Sequence, residues 1–169
     1  IFISGSNPAA STTGIAEAIS RMTDLYTQNT VRIRPVITST TIVLPSYLTL
    51  TSLSTDTTAT GSLGGLMVNT ASAQRADALN IIFVKNETAV GGVLGISTGI
   101  PGLPGKVGTR QSGMVVMFDG HLASAGAVPS SAEQRLIGET MAHEGGHWLG
   151  LFHPVESNYD TTQNNYNRD

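Results

Sequence analysis

The chain is 169 residues long, enough for one domain with a sizeable core, and 40% of it is hydrophobic against only 12% charged. A net charge of −3 argues against nucleic acid and against a polybasic membrane patch, and no apolar run approaches the ~18 residues of a membrane span. With no Cys there is no disulfide framework, thiolate metal site or cysteine nucleophile, whereas three of the four His fall within 11 residues of one another.

Residues 1–4 read as a short strand, followed by a Gly5-Ser6-Asn7-Pro8 turn. Ile15, Ile19, Met22 and Tyr26 then recur at helical spacing behind the N-cap candidates Ser11, Thr12 and Thr13, which predicts an amphipathic helix over 13–28. Val31-Arg32-Ile33-Arg34 alternates with period two and predicts the next strand, carried past Pro35 to Ile37. Residues 38–62 are a Ser/Thr-rich insertion, readable either as a β-rich excursion or as a surface segment. A short helical turn is expected within 71–78. Ile81-Ile82-Phe83-Val84 is an apolar run expected of a strand covered on both faces. Within the Gly- and Pro-rich stretch 91–104, residues 93–97 can form an edge strand. Met114-Val115-Val116-Met117-Phe118 is a second buried strand, closed by an Asp119-Gly120 turn. Ser130-Ser131-Ala132-Glu133 is a capping box opening a helix that Gly150 ends. The order of elements predicts an α/β (α+β) sandwich, with a twisted mixed sheet, a backing helix and a second long helix.

That second helix carries His143-Glu144-Gly145-Gly146-His147-Trp148-Leu149-Gly150-Leu151-Phe152-His153. His143 and His147 are four apart, so both imidazoles leave one helix face and can converge on one Zn²⁺. A continuing helix would carry His153 about 9 Å further along the axis, but Gly150 breaks it and lets the chain turn back. Three neutral imidazoles leave a fourth position open, the mark of a catalytic zinc site. Glu144, the acid within the motif, is the candidate general base and then general acid. A lone helical His is usually structural, yet residue frequencies put chance occurrence of the full pattern on the order of 10⁻⁵.

H-E-x-x-H-x-x-G-x-x-H is the metzincin signature, and this version resembles the pappalysin-like branch, where Trp or Tyr follows the second His and an apolar–aromatic pair precedes the third. Residues 79–84, 91–96 and 112–116 resemble that branch's strands in order. The resemblance covers 79–153 in detail and the earlier chain in outline. It implies a metzincin-like N-terminal upper subdomain over 1–153, with a five-stranded mixed sheet and an active-site helix. It further implies a secreted zinc metalloendopeptidase acting on protein or peptide substrates, with a prodomain or inhibitor as a further partner. His143, His147 and His153 would be the ligands and Glu144 the catalyst. Val93, Leu94, Gly95 and Ile96 would form the rim strand that pairs with an extended substrate; the plain alternative is a Gly-rich loop. Gly145 departs from the usual Val or Ile, and two adjacent mid-helix glycines imply close packing there. Metzincins also place a Met-bearing turn beneath the zinc, but no Met follows Met141. The C-terminal subdomain is therefore expected to be absent or incomplete, with 154–169 as its start.

Trp148 is expected to pack the helix rather than touch substrate, and His121 to sit in a surface loop. Glu156 and Asp160 are candidate Ca²⁺ ligands, although carboxylates this sparse fit a solvated tail better. A surface with 37 Ser and Thr residues and few Lys and Glu points toward secretion. Two rival functions stand beside the peptidase: a non-catalytic zinc-containing binding module with an incomplete cleft, and a metal hydrolase acting on non-peptide amides. A thermolysin-like site would need a Glu about 20 residues beyond the second His; Glu156 lies only nine beyond.

Overall fold

In the computed structural model, which describes residues 1–28, 33 and 35–153, alternation along three strands divides the core in two. In β1 (Phe2–Ile3), β4 (Asn80–Val84) and β7 (Gly113–Met117), Ile3, Ile82, Val84, Val115 and Met117 face one side. Phe2, Phe83, Met114 and Val116 face the other. Period-two apolar residues on both faces require cover on both faces, as the continuous runs at 81–84 and 114–118 led us to expect. The main sheet has five strands in the order β2-β1-β4-β7-β6, with β2 at Thr41–Ile42 and β6 at Gly95–Ser97. All pairs are parallel except β6 with β7, so the sheet is mixed and the fold is α+β.

One face is covered by α1 (Ala16–Gln28) and α3 (Ser131–Trp148), through Ala18, Ile137 and Met141, together with Ile15 just before α1. The helices approach closely because Gly138 has no side chain; a Cβ there would lie 2.5 Å from the Ala18 carbonyl oxygen. Arg21 on α1 pairs with Glu139 on α3 at 2.6 Å. Phe2 stacks on Phe83 with ring centroids 5.0 Å apart, a geometry favourable for offset rings. The other face is covered by α2 (Leu63–Asn69) and by Tyr47 and Leu50 from the Ser/Thr-rich insertion. The insertion is therefore β-containing and partly core-forming. It holds β2, a 3₁₀ turn at Pro45–Tyr47, and β3 (Thr49–Leu50), which pairs in parallel with β5 (Asn86–Glu87).

Three expectations change. The helix foreseen over 13–28 begins at Ala16, after a turn in which the Gly14 N–H donates to Ser11 Oγ. Of the strand foreseen over 31–37, residues 31, 32 and 34 lie outside the described residues, and 33 and 35–37 form none. Its place beside β1 is taken by Thr41–Ile42; Pro35 offers no N–H to a ladder and Val36 is 83% exposed. Helix α2 was not foreseen. Its Gly64 and Gly65 weaken a helix locally but allow it to press against the backbone of Thr55 and Ala59. Residues 154–169, with Glu156 and Asp160, lie outside the described residues.

Candidate metal centre

Helix α3 starts where the capping box predicts. Ser130 Oγ accepts the Glu133 N–H, and Glu133 Oε2 accepts the Ser130 N–H at 2.8 Å. Its other end is a Schellman turn: the Gly150 N–H bonds the His147 carbonyl at 2.8 Å and the Leu151 N–H bonds the Gly146 carbonyl at 2.9 Å. Gly150 sits at φ +96°, which its missing Cβ permits. The reversal brings His153 back over the helix. The Nε2 atoms of His143, His147 and His153 then form a near-equilateral triangle, with sides of 3.1, 3.1 and 3.0 Å.

This triangle can hold a metal ion. Nitrogens about 2.0–2.1 Å from a tetrahedral ion stand about 3.3 Å apart, within a few tenths of the sides observed. The donor chemistry agrees. Nδ1 of His147 lies 2.6 Å from the Leu151 carbonyl, which can only accept, so Nδ1 carries the proton. In the neutral ring Nε2 then presents a lone pair to the centre of the triangle. The turn that ends the helix thus also fixes the tautomer of a candidate ligand.

Glu144 is 3% exposed. Its Oε2 accepts the backbone N–H of Ser97 in β6 at 2.6 Å, and its Oε1 lies 4.0 Å from His143 Nε2. Strand β6 comes this close because Gly95 has no side chain: a Cβ would lie 2.6 Å from Thr140 Cγ2 and 2.9 Å from Glu144 Cγ. Thr140 is held in turn by His121, whose Nε2 lies 2.8 Å from Thr140 Oγ1 and whose Nδ1 lies 2.7 Å from the Met117 carbonyl. His121 is thus a buried residue and not the surface-loop residue expected from its Asp-Gly context. Burial pushes its pKa below 6.5, against two backbone contacts that raise it.

Val93, Leu94 and Gly95 line a cleft of about 720 Å³ that runs along α3 past Leu136, Glu139 and Thr140 to His143 and Glu144. Ile96 points away from it, into the core beside Val115 and Met117. Strand β6 is the sheet edge that the sequence suggested. Leu94 O and Thr98 N bond to β7, and the N–H that Ser97 turns away from β7 is the one that Glu144 accepts, so the buried residues of β6 face α3. The expected close packing at the paired glycines is found at Gly145, where a Cβ would lie 2.7 Å from Tyr26 Oη. That hydroxyl donates to the Ala142 carbonyl, and burial raises its pKa to about 12. Trp148 packs over Gly102 and donates to the Gln111 carbonyl, so it closes a loop against α3. The sequence reading missed Ser97, Thr140 and the Leu151 carbonyl. Only Leu151 carried a signal, as the residue following a helix-ending glycine.

A scan of protein-family models and searches among curated proteins and solved structures find no match to this chain. No helix among the described residues is long and apolar enough to cross a membrane.

Proposed function

We propose that this protein is a zinc-dependent metalloendopeptidase of metzincin type, nearest the pappalysin-like branch, and that it acts outside the cell. The observation that carries the reading is the convergence of three imidazole Nε2 atoms beside a buried, backbone-anchored Glu144 carboxylate. His143, His147 and His153 would hold the zinc. An imidazole-only set favours zinc over calcium or magnesium, which take oxygen ligands. When bound, zinc supplies Lewis acidity toward the scissile carbonyl and lowers the pKa of water toward ~7.

The chain's own part is proton handling and alignment. Glu144 Oε2 accepts the Ser97 N–H, and Oε1 lies on the side of His143, where it would take the water's proton and pass it to the leaving amine. An extended peptide laid in the cleft along Val93, Leu94 and Gly95 would be aligned through main-chain contacts with little demand on its sequence.

The test is Glu144→Ala assayed on casein and a peptide library, with zinc measured in the same samples. Proteolysis should fall by about 10²–10⁴-fold while one zinc per chain is retained. Near-parent cleavage by the variant would overturn the mechanism. A parent that holds zinc and cleaves nothing would instead be the alternative, a zinc-containing binding module.

A further inference from the structure

Glu87, at the end of β5, is a buried carboxylate outside the metal site, 4% exposed. Its Oε2 accepts the Val90 N–H at 3.1 Å and its Oε1 accepts the Val93 N–H at 3.2 Å. The N–H groups of Ala89 and Gly91 also turn on it. Burying a carboxylate is costly unless donors surround it, and here the donors all come from one short turn.

That turn covers no core from Val90 to Gly92. Val90 is 68% exposed, and a Cβ on Gly91 or Gly92 would meet nothing within 4 Å. The two glycines are needed for their φ of +74° and +86°, which aim the amides inward. A buried charge is therefore holding a turn that adds little packing of its own. The turn does border the cleft: Val90, Gly91, Gly92, Val93 and Leu94 form the wall that faces Leu136, Thr140 and His143 on α3.

We infer that Glu87 is a positioning residue for substrate: its carboxylate tethers the 89–93 turn and so fixes the width of the cleft that leads to Glu144. The inference rests on the peptidase reading for its word "substrate". The tether itself does not.

Two variants act on the wall from opposite sides. Glu87→Gln sets an amide N–H₂ against the backbone donors, and Gly92→Ala strains the turn at φ +86° without touching the carboxylate. Each is assayed as zinc-loaded protein on fluorescein-labelled casein, with amide hydrogen exchange followed over 89–94. Both variants should raise KM about five- to tenfold with kcat per bound zinc within about twofold, the pattern of lost uniform binding. A merely structural role would lower the folded fraction and kcat per chain and leave KM alone. Exchange at the Val90 and Val93 amides should quicken in Glu87→Gln. Unchanged exchange there, or an unchanged KM in both variants of an active parent, would overturn the inference. A parent with no activity would overturn the peptidase reading, while exchange would still decide the tether.

Discussion

Replacing Gly95 by Ala tests how β6 and α3 together hold Glu144, the proposed general base. The new methyl carbon would start 2.6 Å from Thr140 Cγ2 and 2.9 Å from Glu144 Cγ. Carbon atoms rest at about 3.5–4.0 Å, so strand and helix must part by about 1 Å. Thr140 cannot simply swing away, because its hydroxyl is held by His121. The Ser97 N–H···Glu144 bond of 2.6 Å lies in the path of that movement and would stretch beyond hydrogen-bonding range. Overpacking of this kind costs about 1–3 kcal/mol, which lowers Tm by roughly 3–10 °C in a domain of this size. The loss in catalysis should be larger, because a displacement near 1 Å at a reacting group can cost about 10²-fold. We therefore expect kcat/KM on casein to fall by about 10–100-fold with one zinc still bound, since none of the three proposed imidazole ligands lies on β6. Thr140→Ser removes Cγ2 but keeps the hydroxyl, so the double variant should recover part of the loss. Parent-level activity in Gly95→Ala would refute the claim that β6 aligns Glu144.

Other expectations follow from the same contacts. Gly102→Ala places a methyl inside the Trp148 indole and should open the 99–111 loop, seen as a red shift of the fluorescence of the single Trp and a lower Tm. Removing the metal with a chelator should lower Tm reversibly; zinc at 1,000 times its Kd stabilises by about 4 kcal/mol, and a Tm indifferent to zinc would contradict a folded-state site. Burial raises the Glu87 pKa, but the backbone N–H bonds outweigh it and hold it below 4.5. Its contribution to stability is therefore complete above that value and is lost as pH falls through the lower folded-state value, so the Tm gap between parent and Glu87→Gln should narrow below about pH 4.5.

The parts of the fold legible in the sequence are those with local causes. The start of α3 is set by Ser130 and Glu133, three residues apart, and its end by Gly150. Strands β4 and β7 declare themselves because residues buried on both faces leave an unbroken apolar run. Strand β2 does not, being two residues, Thr41 and Ile42, chosen by pairing with Phe2 and Ile3 rather than by any pattern of their own. Helix α2 hides for the opposite reason. Gly64 and Gly65 count against a helix locally, yet the carbonyls of Thr55 and Ala59 leave no room there for a Cβ.

The same division runs through the site. The groups that would do chemistry are side chains in one short motif, so their spacing alone places His143, His147 and Glu144 on a helix and lets His153 return to them. The groups that aim them are backbone atoms: the Leu151 carbonyl on His147 Nδ1, the Ser97 N–H on Glu144 Oε2, and the bare Cα of Gly95 that lets β6 approach. A peptide N–H or C=O is the same at nearly every residue, so the sequence cannot mark which one will be used. Glycine does mark a position, but Gly95 sits among other glycines that serve turns, and its role is set by Thr140, 45 residues further on. His121 shows the limit most plainly. Its Asp-Gly context reads as a surface turn, yet that turn is the 3₁₀ element Asp119–His121, which folds the imidazole back under α3 to hold Thr140. Motif spacing therefore reports which atoms can react, whereas their orientation is written in contacts between distant segments.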